Sequence, residues 1–276
     1  MTVRGGRLLA WRWGRGADVV ILPGVMEALV KPLALGWLMQ RLWKGAARRY
    51  RLTLLGCREA VPPGFTTEQM AEDAADALAA LGIAPRLTVA MDAGGLVAQW
   101  LAARRPRQTG ALVLLSAPLE GRAPDAMAQF LEHLCRLLRG AQWPEAFDHA
   151  AAVYLEPALR EQLRPVLALL RRWGRPPQLQ RAVRLLTAYL THDAREAGPV
   201  EVPVLSVAGG MDPLVGLQPP GRGPTADGGR APWVRPTRQI WLAGEHGAYL
   251  RFWKMVMAEL QRFEQELAAP ARAVPT

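Results

Sequence analysis

With 276 residues, half of them apolar, the chain is long enough for one large globular domain with room for an inserted subdomain. Its formal charge of +10 comes almost wholly from arginine, since Lys31, Lys44 and Lys254 are the only lysines. The arginines are spread over helix-like stretches with no basic stripe interleaved with aromatics, so no nucleic-acid partner is expected. Cys57 and Cys135 are too few for a disulfide framework and lack metal-ligand spacing, which predicts neither a metal nor a cofactor. No apolar run reaches membrane-spanning length, and residues 1–7 lead into strand-like sequence without a signal-peptide core; the expected location is the cytoplasm, with no membrane partner.

In chain order, residues 7–13 read as an opening strand, and 18–22 as an apolar central strand stopped by Pro23-Gly24. A helix is predicted over 33–49, a strand over 51–55 and a Pro/Gly loop over 57–65. Thr66 or Thr67 then caps a helix that ends at Gly82. Residues 86–91 form the next strand, and 111–115 another after an intervening helix. This alternation predicts an α/β fold with a doubly wound, mostly parallel sheet. From 118 to 198 the pattern is helical throughout, broken at Pro124, Pro144, Pro157 and Pro176-Pro177, and reads as a cap between two sheet strands. The core is thus 1–117 plus 199–276. Strands resume at 202–208 and 239–242, separated by a Gly/Pro/Arg-rich loop over 218–236, and a helix over 249–267 leads into a short Pro/Ala tail.

The segment Arg86-Leu87-Thr88-Val89-Ala90-Met91-Asp92-Ala93-Gly94-Gly95 joins a strand to a helix through a turn too tight for ordinary side chains. It resembles the nucleophile elbow, G-x-S-x-G, of the α/β-hydrolase superfamily, with Ala90 for the first glycine and Asp92 where serine usually stands. Gly209-Gly210-Met211-Asp212 resembles that superfamily's acid loop and Gly244-Glu245-His246-Gly247 its histidine loop. Asp92, Asp212 and His246 each follow a predicted strand, in the superfamily's order of nucleophile, acid and histidine. His133, His149 and His192 have no strand-end context and read as structural.

The resemblance implies a catalytic triad of Asp92, His246 and Asp212 acting on a small, largely apolar molecule. An aspartate nucleophile suits attack on a saturated carbon, because the resulting alkyl ester is stable until His246 activates water against it. That is the scheme of the superfamily's epoxide hydrolases and haloalkane dehalogenases, whose elbows also read Asp-x-Gly-Gly. The dehalogenases place a tryptophan after the nucleophile, where Ala93 stands here; Trp143 or Trp173 from the cap is the substitute. Tyr154 and Tyr189 are candidates to protonate an epoxide oxygen, which makes an epoxide the favoured substrate. Val25 and Ala93 are expected to supply oxyanion-hole N–H groups, and Glu27 reads as a solvated loop carboxylate. The alternative is an esterase-lineage protein with a replaced nucleophile, binding without hydrolysis or using His246 as a base without a covalent step. The sequence leaves room for a homodimer.

Overall fold

The computed structural model describes residues 2–3, 6–176, 178–215 and 233–268. Its eight strands are β1 (Thr2–Val3), β2 (Gly6–Gly14), β3 (Ala17–Leu22), β4 (Tyr50–Arg58), β5 (Leu87–Met91), β6 (Ala111–Leu115), β7 (Val204–Gly209) and β8 (Arg238–Leu242). They form one sheet in the order β1-β2-β4-β3-β5-β6-β7-β8. β2 runs antiparallel to both neighbours, and every pair from β4 to β8 is parallel. All five residues of β5 and all five of β6 are buried, as central strands covered on both faces must be. Because six adjacent strands are parallel, the residues after β3, β5, β7 and β8 gather along one edge.

The helices before the insertion are α1 (Met26–Leu29), α2 (Pro32–Leu42), α3 (Thr67–Ala80) and α4 (Gly94–Arg104). Thr66 caps α3 in a reciprocal capping box with Gln69. The helix expected over 33–49 stops at Leu42, followed by a single 3-10 turn at Ala46–Arg48. Trp43, fully buried edge-on to Trp253, turns the chain there toward β4.

Between β6 and β7 lie α5 (Asp125–Arg139), α6 (Trp143–Tyr154), α7 (Pro157–Gln162), α8 (Arg164–Trp173) and α9 (Leu179–Leu190). The prolines that mark breaks in the sequence sit at helix starts: Pro124 precedes α5, Pro144 lies in the first turn of α6 and Pro157 begins α7. Proline is tolerated there because the first-turn N–H groups have no intrahelical acceptor. Pro165 divides α7 from α8 in the same way, a boundary the periodicity concealed. α6 and α9 pack on α1, which follows the carboxyl end of β3, and this sets the helical insertion over the strand ends. The chain closes with α10 (Ala248–Arg251) and α11 (Trp253–Ala268), where a single helix over 249–267 was expected. The predicted loop over 218–236 lies outside the described residues up to 232, as does the tail beyond 268.

His192 fastens the insertion to the core. Its Nδ1 lies 2.7 Å from Thr67 Oγ1 and its Nε2 3.3 Å from Gln99 Oε1, while Gln99 Nε2 donates to the Pro118 carbonyl at 2.9 Å. The neutral ring satisfies both contacts, accepting from the Thr67 hydroxyl and donating to Gln99. Burial lowers the His192 pKa to about 4. Between an unfolded value of about 6.5 and that folded value, the unfolded chain holds a proton the folded chain lacks, so stability falls as pH drops through this window. The loss is expected to reach about 3 kcal/mol near pH 4. Denaturation midpoints from pH 7 to 4 should fall more steeply for the native protein than for His192→Gln; parallel curves would remove this assignment.

Candidate active site

Asp92 follows β5 with φ 42°, the left-handed backbone that throws a side chain off the end of a strand, and is 2% exposed. The close approach that the elbow demands is visible at its small residues. A Cβ on Gly94 would lie 2.6 Å from the Leu22 carbonyl oxygen, and one on Gly95 would lie 2.5 Å from Ala117 Cβ. Gly24 matters as much: a Cβ there would lie 2.0 Å from Asp92 Oδ1. The missing side chain lets the carboxylate reach the backbone beside it. Val25 N–H donates to Asp92 Oδ1 at 3.0 Å, and Ala93 N–H donates to the same oxygen. Val25 and Ala93 thus direct both N–H groups at one oxygen of Asp92.

His246 is fully buried, with Nδ1 2.9 Å from Asp212 Oδ2 and 3.1 Å from Oδ1. Asp212 is held in turn by Leu214 N–H, which donates to its Oδ1 at 2.9 Å. His246 Nε2 has no hydrogen-bond partner. The histidine loop is clamped from several sides. Ser116, at φ 45°, donates its hydroxyl to the His246 carbonyl. A Cβ on Gly247 would lie 1.4 Å from the Tyr154 carbonyl oxygen, so this glycine docks the loop directly on the end of α6.

The electrostatics couple Asp92 to His246. Burial pushes the Asp92 carboxyl above its usual range, opposed by His246, the two N–H donors and Tyr154. Desolvation outweighs those influences, so the carboxyl does not keep an ordinary carboxylate pKa. Burial also works against the His246 cation, but Asp212 and then Asp92 outweigh it, and the imidazole pKa is raised.

No protein-family model matches the sequence, and no curated protein does at a significant level. Among solved structures, the chain is similar to the enol-lactonase from Burkholderia xenovorans LB400, at 18% identity and a TM-score of 0.74 over 95% of this chain and 97% of that one. It is also similar to a hydrolase from Pseudomonas aeruginosa PA01, at 21% identity, TM-score 0.73 and coverage of 95% and 96%. A thermophilic esterase from Thermogutta terrifontis resembles it at 15% identity, TM-score 0.72 and coverage of 97% of both chains. The fold is that of the α/β-hydrolases.

On this α/β-hydrolase scaffold the remaining sequence candidates separate. The Tyr154 ring stands edge-on to His246 at 4.7 Å, and its buried hydroxyl has no well-formed hydrogen bond while lying close enough to Asp92 to lower that carboxyl's pKa. Tyr189 is buried nearer Cys57 and Glu27, and Asp92 influences it less than they do. Trp143 is corrected: its indole N–H donates to the Leu29 carbonyl at 2.7 Å, so it has no donor left for a substrate. Trp173 is 39% exposed beneath Lys31, whose Nζ lies 4.0 Å from the ring centre. Glu27 is also corrected. It is buried in α1, accepts from Cys57 N–H and pairs with Arg181 Nη2 at 3.1 Å.

The sequence reading missed Gly24, Arg181 and the cavity beside the triad. That cavity measures about 280 Å³, with Met91, Tyr154 and Tyr249 at its buried end and the half-buried Met26 also in its lining. Met26 and Met91 adjoin Val25 and Asp92, which signals their place only once the elbow is located. Among the described residues, no three His, Cys, Asp or Glu side chains converge in a way that would hold a metal ion, and no helix is long and apolar enough to cross a membrane.

Proposed function

We propose that the protein is a hydrolase in which Asp92 attacks a saturated carbon, with His246 and Asp212 completing the reaction and an epoxide as substrate. The observation that carries this reading is the placement of Asp92 Oδ1 between the N–H groups of Val25 and Ala93. Those donors fix one carboxylate oxygen and leave Oδ2 as the nucleophile. In the first step Oδ2 bonds to a ring carbon as the carbon–oxygen bond of the epoxide breaks, and the ring oxygen takes the Tyr154 proton. In the second, His246 Nε2 takes a proton from water, whose oxygen attacks the Asp92 ester carbonyl. Charge then develops on Oδ1, already within its two donors. Collapse breaks the bond from Cγ to Oδ2, and the diol leaves carrying Oδ2 and the proton held by His246; Asp92, left as the carboxylic acid, returns its proton to the Tyr154 phenolate.

The epoxide is favoured over an alkyl halide by three positions. Tyr154 offers an unpartnered hydroxyl beside Asp92, whereas the Trp143 N–H is committed to Leu29 and position 93 is alanine. The helical insertion serves as the cap in this scheme, with α6 carrying Tyr154.

The esterase and lactonase structures of the same fold support a second reading, in which His246 activates water directly or the protein binds without hydrolysis. A single turnover in oxygen-18 water, with enzyme in excess over a terminal epoxide, separates them. The covalent route gives unlabelled diol and labelled Asp92; direct attack by water gives labelled diol and would remove the ester from the scheme. Absence of turnover across aliphatic and aromatic epoxides, together with esterase activity gained by Asp92→Ser, would favour the esterase lineage.

A further inference from the structure

The cavity beside the triad has a chemical gradient along it. Its inner end is buried and adjoins Asp92 and His246 through Met91 and Tyr154. Its outer wall is built by half-exposed leucines, Leu38 and Leu42 of α2, Leu163 between α7 and α8, and Leu167 of α8. Arg41, exposed in the last turn of α2, is the one charged side chain among the lining residues, and no carboxylate faces it there. Among the described residues Arg41 has no ion-pair partner. The cavity is otherwise nearly continuous hydrocarbon: besides Arg41, only the two tyrosine hydroxyls bring a polar side-chain group to its lining.

We infer that the substrate is an amphiphile, an aliphatic chain lying in this cavity with an anionic head at Arg41 and the reactive carbon at the inner end beside Asp92. An apolar cavity of about 150 Å³ holds benzene, so 280 Å³ accommodates a chain of roughly ten carbons. A free cation at the rim of a hydrocarbon pocket selects an anion and orients the chain, because the carboxylate stays at the water boundary while the tail is desolvated. The inference rests on the Asp92 reading for the end at which chemistry occurs, but binding of the chain is measurable without it.

Titration calorimetry with decanoate and decanol at low ionic strength provides the test. Decanoate should bind the unmodified protein more tightly than decanol does. R41Q should weaken decanoate binding several-fold, to about ten-fold at most, for an exposed ion pair and leave decanol unchanged. Leu167→Trp, which fills the cavity, should remove both. Decanoate affinity unchanged in R41Q, or unchanged in Leu167→Trp, overturns the assignment. A decanoate bearing a terminal epoxide, offered to His246→Gln, distinguishes the two layers. Arg41-dependent decanoate binding with no Asp92 adduct upholds the subsite and removes the nucleophile. Adducts with small neutral epoxides but no decanoate binding remove the subsite and leave the nucleophile standing.

Discussion

His246→Gln is expected to arrest the reaction halfway, with an alkyl ester accumulating on Asp92 and turnover reduced by a factor of about 10³ to 10⁴. The first step needs the Asp92 carboxylate and the Tyr154 proton but not His246, so the variant should still consume one equivalent of epoxide. The second needs a base at Nε2, which glutamine does not supply. Intact-mass and peptide mass spectrometry would place the added mass on the peptide containing Asp92; consumption of substrate without that adduct would leave the covalent scheme without support. The pH profile of the native protein gives a second check. His246 works only when neutral, and its raised pKa puts the acid limb of the profile above the ordinary imidazole value of about 6.5. Asp212→Asn removes the larger of the two carboxylate influences that favour the cation, against an unchanged burial that disfavours it. The limb should therefore move to lower pH while the rate falls. A limb that stays in place would mean that another group sets it.

How much of this was legible beforehand follows the length scale of each interaction. The elbow, the parallel strands and the order of Asp92, Asp212 and His246 could be read because each depends on neighbours within about ten residues: an apolar run, then small residues, then a polar one. Val25 and Ala93 could be placed beside Asp92 because backbone N–H donors need no particular side chain. Trp143 and Glu27 misled for the opposite reason. An indole N–H offers itself to any acceptor, and Leu29, 114 positions away, took it. A glutamate after a turn has every local mark of a solvated residue, and only Arg181, 154 positions on, accounts for its burial. Gly24 escaped notice because its role is to leave room for Asp92 Oδ1, and vacant space has no sequence pattern. Tyr154 and Tyr189 looked alike on their helices. The insertion's docking brings Tyr154 against His246 and leaves Tyr189 beside Glu27 and Cys57.

That long-range pair leads to the second large effect. The side chains of Glu27 and Arg181 are 6% and 13% exposed, so each charge depends on the other for compensation. Arg181 also donates to the Cys57 carbonyl at 3.2 Å and to the Arg58 carbonyl at 3.1 Å, while Glu27 accepts from Cys57 N–H. One guanidinium thereby joins α9 to the end of β4 and to α1, two residues beyond the Val25 donor. Arg181→Met should strand the buried carboxylate and cost about 3–5 kcal/mol, which lowers the melting temperature by roughly 10 °C for a chain of this size. Glu27→Gln should cost less, about 1–2 kcal/mol, because glutamine still accepts from Cys57 and Arg181 keeps both carbonyls. The double variant Glu27→Gln/Arg181→Met should recover much of the loss, since no unpaired charge remains, and the double-mutant cycle reads the coupling directly. Additive losses would mean that the two side chains act independently. A loosened α1 also carries Val25 with it, so Arg181→Met should form the Asp92 ester more slowly in the His246→Gln background even at temperatures where it is fully folded. Unchanged ester formation there would confine the pair to stability and detach it from the donor site.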